Sequence, residues 1–454
     1  MLPADGALHQ NVPVTTRRLH PAWIVAAVAF LALVGAAGFR AAPSVLMVPI
    51  ETELGFSRTE LSTAVGLNIL LYGLMAPFAA ALMERFGLKR VTAAALVVIA
   101  GGAALGTLAQ HPWVLLLTWG VMIGLGTGSM ALVFAAVVTQ RWFVRHRGTV
   151  SGVLTAGSAT GQLVFLPPTA WLATEWGWRE ASLLVALGAL AVVPLVLLFL
   201  HDSPAARGVT PFGAPDAAAG DDAEPGARAV AAPGVEPRRS PRTNPARAAI
   251  DGLREAVRHR TFWALAAGFA ICGATTNGLI GTHFIPAAHD HGMPQTAAAG
   301  LLALVSIFDI AGTVLSGWLT DRWNPRLLLV IYYVGRGLSL MALPFLLSAE
   351  VQPPMVVFIV FYGLDWVATV PPTMALCREH FGERAPVIFG WVFASHQIGA
   401  AIASVLVGVV RDAMGHYTVA WFAAAGLCVV AALVSLSVRR DRTPEVELDT
   451  VPAP

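Results

Sequence analysis

Four charged residues stand inside long apolar runs of this sequence: Arg40, Asp309, Arg336 and Asp365. An ionisable group at membrane depth is costly, and it persists where it pairs, titrates or faces water. A guanidinium in a wet cavity offers a planar fork to a carboxylate and stays charged at every working pH. Arg40 and Arg336 are therefore the candidates for binding an anion, and Asp309 and Asp365 the candidates for proton coupling. Arg40 has a second reading, a cation snorkelling to the membrane surface. In the second half, two acids share one base, which leaves one carboxyl to titrate. If Arg336 and Asp365 form a structural pair between their helices, Asp309 is the proton site. His396-Gln397 adds an imidazole that can change charge near neutral pH, or a histidine packed between helices. Asn68, Gln162, Asn277 and His283 are neutral candidates for lining a cavity, with hydrogen bonding between helices as the plainer alternative.

The elements that must position these groups follow from composition. The chain has 454 residues, 56% hydrophobic and 12% charged, whereas a soluble domain carries about 25% charged residues. That supply is too small for a water-facing surface and suits a polytopic membrane protein. A bilayer core of about 30 Å needs roughly 20 apolar helical residues, and twelve stretches meet that need. The first six are Ala22–Val48, Leu61–Met83, Val91–Ala109, Trp113–Thr139, Gly148–Ala173 and Ala181–Leu200. The second six are Thr261–Ala287, Ala297–Leu319, Leu327–Leu347, Pro354–Leu376, Val387–Val410 and Tyr417–Val438. The predicted fold class is an all-α polytopic membrane protein with 12 transmembrane helices in two six-helix bundles.

The expected organisation is an N-tail (1–20), a first bundle (21–200), a largely disordered linker (201–260), a second bundle (261–438) and a C-tail (439–454). His201 to Asn244 is Ala, Pro, Gly and charge without apolar periodicity, a composition that cannot bury a core. Ala246 to Arg258 reads as a surface helix leading into the seventh span. Of 29 Lys and Arg residues, 24 fall in the tails, the linker and the loops on their side, against Arg58, Arg179 and Arg411 in the opposite loops. Basic residues favour the cytoplasmic side, so both termini are expected to be cytoplasmic in a bacterial-type inner membrane. Glycines at 124, 126 and 128, and at 152, 157 and 161, are expected where helices pack closely.

Two charged elbows recur at matching places in the halves. Ala80 to Arg90 places Glu84, Arg85, Gly87 and Arg90 after the second span, and Gly317 to Arg326 places Gly317, Asp321 and Arg322 after the eighth. Near the start of the third span, Glu84 is expected to favour the helix dipole. The acid–Arg–x–Gly order resembles the loop 2–3 signature of the major facilitator superfamily, and the second copy its loop 8–9 counterpart. The resemblance implies alternating access and elbows that latch one face while the other is open; ordinary basic-residue bias accounts for the arginines alone. A narrower resemblance links Trp142 to Gly152, Gly157, Gly161-Gln162, Pro167-Pro168 and Trp178-Arg179 to the monocarboxylate transporter and oxalate–formate exchanger branch. Asp309 falls where that branch carries an acid, and Thr313 stands where its animal members carry an Arg.

That branch implies a small organic anion as substrate, with protons as the coupling partner or a second anion in exchange. A drug efflux pump is the alternative, although Gly120 and Gly157-Ser158 occupy the places of the span-4 Arg and span-5 Gly-Pro pair that such pumps show. A sugar porter would spread Gln, Asn and Trp through its seventh and tenth spans, where Asn277 and Trp366 stand alone. A non-transporting sensor would need an output domain for which the linker and tails are too sparse. No nucleophile elbow, phosphate loop or metal-ligand spacing points to an enzyme, a cofactor or a metal. The three cysteines show no disulfide or metal pattern, no basic footprint suits nucleic acid, and a monomer in the lipid bilayer is expected.

Overall fold

A computed structural model describes residues 20–130, 132–214 and 245–438. Both tails and the segment 215–244, where most of the expected linker falls, lie outside the described residues. Among the described residues, ten stretches are long and apolar enough to cross a bilayer. One of them, Pro353–Met414, contains two rods, and Pro112–Gly128 continued by Leu132–Trp142 supplies another. Spans 1 to 6 are thus Pro21–Leu54, Arg58–Phe86, Leu88–Gly106, Pro112–Trp142, Arg147–Glu175 and Trp178–Phe199. Spans 7 to 12 are Arg260–Asp290, Gln295–Thr320, Pro325–Ala342, Pro353–Phe381, Ala385–Met414 and Thr418–Ser437. Each contains or overlaps a stretch expected from hydropathy.

Local signals set the ends. Ser57 and Glu60 close a capping box at the start of span 2, the Ser57 amide donating to the Glu60 carboxylate at 2.9 Å. Asn324 caps span 9 by accepting from the Arg326 amide at 3.0 Å. Spans 4 and 7 each widen into π-helical turns, Leu116–Ile123 and Ala274–Ile280. Such turns are rare and recur at functional sites.

Span 10 departs from the expected continuous helix. It breaks between Pro353–Asp365 and Val370–Phe381. Pro371 and Pro372 have no N–H to give the carbonyls of Val367 and Ala368, so the ladder cannot run through. Ser316 of span 8 donates to the orphaned Ala368 carbonyl at 2.5 Å instead.

Span 1 packs on spans 5 and 6 and span 3 on span 6; span 7 packs on spans 11 and 12, span 8 on span 10 and span 9 on span 12. The two sets meet along spans 2 and 11, 5 and 8, and 1 and 7. Glycine makes several of these approaches possible. A Cβ on Gly312 would lie 1.9 Å from the Leu364 carbonyl oxygen, and one on Gly161 would lie 2.6 Å from Ala37 Cβ. Gly152 meets nothing within 4 Å, so it is not at a close contact as expected. Gly312→Ala is expected to lower the unfolding midpoint of the purified protein, at a cost of about 1–3 kcal/mol for overpacking. Gly300→Ala, in the same span but facing open space, should leave the midpoint unchanged or raise it.

The first residues after span 6 are ordered, contrary to the expectation for 201 onward. Phe212 sits edge-on to Trp23 and His20, and its backbone pairs with Trp142 and Val144. Asp202 accepts from the Lys89 amide at 2.9 Å. That contact needs Gly87, whose φ is +89° and whose added Cβ would lie 2.8 Å from the Asp202 carboxylate. Asp202 is therefore the anion at the start of span 3; Glu84, expected there, lies in the last turn of span 2. The helix Pro245–Ala256 lies against spans 2 and 11. Trp391 donates its indole N–H to the Ala249 carbonyl at 2.8 Å, and Glu255 pairs with Arg384.

Candidate functional site: a cavity between the halves

A cavity of about 60 Å³ lies where the two sets of spans meet. Span 1 contributes Phe39, Arg40 and Pro43; span 2 contributes Asn68 and Tyr72; the π-helical turn of span 4 contributes Trp119. The other half supplies Asn277 from the π-helical turn of span 7, Trp366 from the break in span 10, and Gln397 from span 11. Gln162 of span 5 also lines it. The interruptions in spans 4, 7 and 10 thus carry three of the lining side chains, as expected where irregular backbone borders water rather than lipid.

Arg40 is exposed to this space, its guanidinium carbon 4.7 Å from the centroid of the Tyr72 ring. That is cation–π distance. Among the described residues, Arg40 is the one charged side chain on the cavity wall, and it makes no ion pair. A smaller void bordered by Leu33, Ala36, Tyr72 and Met130 continues from Arg40 toward the end of the molecule where the elbows lie. Asn68 donates to the Trp119 carbonyl at 2.7 Å, tying spans 2 and 4 while its side chain borders the cavity. Gln397 reaches the cavity past Gly73, where a Cβ would lie 2.4 Å from it.

Arg336 and Asp365, expected at the cavity, are elsewhere. Arg336 is fully buried, and its Nε donates to Asp365 at 2.5 Å. Its Nη2 donates to the Asp365 carbonyl at 2.7 Å, and its Nη1 reaches Cys272 Sγ at 2.9 Å. The guanidinium fork therefore ends in the carbonyls left free by the break in span 10. This is the structural pair, and neither member lines the cavity. Asp309 also lies off the cavity wall; it accepts from Thr313 Oγ1 at 3.2 Å and pairs with no basic side chain among the described residues.

The two histidines serve packing. His283 is buried and hydrogen-bonds the Ser404 carbonyl through Nε2 at 2.9 Å, joining spans 7 and 11. His396 stacks on Phe393, with ring planes 6° apart, and leans on Phe269. Each is displaced from the cavity because its neighbour on the helix, rather than the histidine, faces inward.

The end opposite the elbows is closed by a polar cluster absent from the sequence reading. Asp412 of span 11 accepts from the Thr59 amide at 2.8 Å and the Arg58 amide at 3.1 Å, so a carboxylate of one half caps a helix N-terminus of the other. Arg58 pairs with Glu51, and Arg411 with Asp290 at 2.7 Å. No local signal marks Asp412, because its partner Thr59 is 353 positions away. At the elbow end, Glu84, Arg85, Arg90, Asp321 and Arg322 are exposed. Arg322 lies on Trp318 at 4.2 Å, and no elbow side chain forms an ion pair with the opposite half among the described residues.

This architecture has relatives. The chain is 22% identical over 410 residues to the uncharacterised MFS-type transporter YcxA of Bacillus subtilis (strain 168), covering 87% of this chain and 90% of that one. It is 25% identical over 436 residues to Monocarboxylate transporter 11 of Mus musculus, covering 92% and 87%. The solved structure of a bacterial homologue of the human lysosomal transporter Spinster, in an inward-facing and occupied conformation, superposes with a TM-score of 0.67 at 15% identity, covering 93% of this chain and 97% of that one. The Major Facilitator Superfamily model matches residues 28–404. With twelve rods in two sets and a polar cavity at their seam, this chain belongs to the major facilitator superfamily and is a transporter of that family.

Proposed function

We propose that this transporter carries a small organic anion, a monocarboxylate, by alternating access, coupled to a proton or to an anion moving the other way. The observation that carries the reading is Arg40: a cation exposed on the cavity wall, with the face of Tyr72 beneath it and, among the described residues, no acid across from it. A carboxylate would complete that site with charge-assisted hydrogen bonds, and the carboxamides of Asn68, Gln162, Asn277 and Gln397 would meet its remaining polar atoms. A cationic drug or an amino acid would need an acid on the wall, and among the described residues none lines it. By the same measure about 10–15 Å³ holds one water, so a cavity of about 60 Å³ suits a cargo of few atoms. The monocarboxylate transporter among its relatives supports the same class.

Asp309, off the cavity wall and without a basic partner, is the proton-coupling group of this reading. The 24-to-3 distribution of basic residues supports a reading in which the elbows and both termini are cytoplasmic, in a bacterial-type inner membrane. The closed end then faces outward, and the elbows engage the opposite half when the carrier opens that way. The expectation for reconstituted protein is saturable uptake of labelled lactate, pyruvate or oxalate, accelerated by an acid-outside gradient or by preloaded anion. Competition by sugars or cationic drugs, with none by any carboxylate, would refute the cargo class.

A further inference from the structure

The helix Pro245–Ala256 is too short to be a span, yet it lies in the seam between the halves. Three contacts give its register against span 11. Trp391 donates to the Ala249 carbonyl at 2.8 Å, a Cβ on Gly252 would lie 2.7 Å from Val387 Cγ1, and Glu255 pairs with Arg384. Numbers rise along one helix as they fall along the other, so the two run antiparallel, side by side, for about two turns. Ala249, Gly252 and Ala256 are buried and Leu253 is half-buried, at the three- and four-residue spacing of a single helix face. The turn that follows is fastened to the same half. Trp263 of span 7 donates to the Val257 carbonyl at 2.8 Å, and His259 sits edge-on to Phe381 of span 10 at 5.6 Å. The helix is thus held by the second half, and it also touches span 2 of the first.

Spans 2 and 11 pack on each other across the seam. Glu84, in the last turn of span 2, is exposed. Arg384 stands at the start of span 11, already paired with Glu255. We propose that this helix is an autoinhibitory wedge. With the end opposite the elbows closed, it covers the first two turns of span 11, and Glu255 holds the guanidinium that Glu84 engages when the carrier opens the other way. Two carboxylates compete for one cation, and the helix favours the state in which the elbow stands free. The inference rests on the alternating-access reading above, in which the elbows engage the opposite half, and needs no assumption about the cargo.

The test uses the full chain in lipid nanodiscs, without cargo. Ser62 is buried in the seam near the closed end, where a Cβ on Gly408 of span 11 would lie 2.7 Å from its Oγ. Ser62→Cys therefore reacts with a water-soluble maleimide when that end opens. The native cysteines are buried, and the parent without Ser62→Cys gives the background rate. Glu255→Ala should speed labelling about two- to fivefold, the range of an exposed ion pair. Trp391→Phe, which removes the bond to Ala249 and keeps a ring, should add to that rise. Glu84→Gln placed beside Glu255→Ala should return the rate to the parent's, because the freed guanidinium then lacks its second acid. If labelling is unchanged by Glu255→Ala and by its combination with Trp391→Phe, the wedge is overturned. A rise that Glu84→Gln does not reverse overturns it too, since the helix would then act by packing alone. Asp412→Ala, which unties the cap on span 2, tests the underlying reading and should speed labelling whatever the helix does. If it does not, alternating access at this seam fails and the wedge with it; if it does while the helix variants do not, the wedge alone falls.

Discussion

Arg40→Ala is expected to lower kcat/KM for carboxylate uptake by about 10- to 100-fold. A hydrogen bond to a charged group is worth about 1.5–3 kcal/mol, and each 1.4 kcal/mol is a factor of ten. Arg40 is exposed to the water of the cavity, which places the loss toward the lower end of that range. Arg40→Lys keeps a point charge but loses the planar fork that can hold both carboxylate oxygens, so it should fall between the alanine variant and the parent. Tyr72→Phe keeps a ring face 4.7 Å from the guanidinium carbon and should be nearly silent, which separates a cation–π seat from a role for the phenol hydroxyl. Initial rates in proteoliposomes at several lactate and pyruvate concentrations decide the matter. A KM and kcat within twofold of the parent for Arg40→Ala would remove the central argument for an anionic cargo.

Arg336→Ala should act on stability rather than recognition. Removing one partner of a buried ion pair leaves an uncompensated charge and costs about 3–5 kcal/mol. Here the loss also unties the carbonyls of Asp365 and Trp366 at the break in span 10. The double variant Arg336→Met with Asp365→Leu removes both charges together and should recover most of the unfolding midpoint, because well-packed apolar replacements of buried pairs are often neutral. Thermal unfolding of purified protein in detergent, followed beside uptake, distinguishes the two roles. An Arg336→Ala protein as stable as the parent but with a raised KM would mean that Arg336 reaches the cargo after all. The contrast with Arg40 is the point: both are arginines at membrane depth, yet one faces water and the other is saturated by Asp365, Cys272 and two carbonyls.

In the sequence these two arginines look alike. Arg40, Asp309, Arg336 and Asp365 all stand as costly charges in apolar runs, and a structural pair is one of two readings open to Arg336 and Asp365. The choice depends on which way a side chain points around a helix whose period and irregularities are not written in hydropathy. The histidines show the same limit. His396 and Gln397 are adjacent, and a turn of about 100° per residue sends one against Phe393 and the other into the cavity. Tyr72 and Trp119 carry no mark in the sequence, because nothing local separates an aromatic at a cavity from one in packing. The prolines at 371 and 372 were a visible signal for the break in span 10; a continuous apolar run masked it.

What the amino-acid sequence determined alone was the solvent and the rods. Too few charges for a water surface, twelve apolar stretches of bilayer length and two matching elbows define a polytopic helical carrier, because bilayer thickness and unsatisfied backbone leave little alternative. Only the tertiary structure decided which polar groups meet. Asp412 caps span 2, Asp202 caps span 3, Arg336 closes on Asp365, and Arg40 keeps a free face in the cavity. These partners lie far apart in the chain and are brought together by helix packing, where glycines at close approaches set the rotation of each rod. Hydropathy is a property of one segment, whereas a site is a property of several segments at one depth.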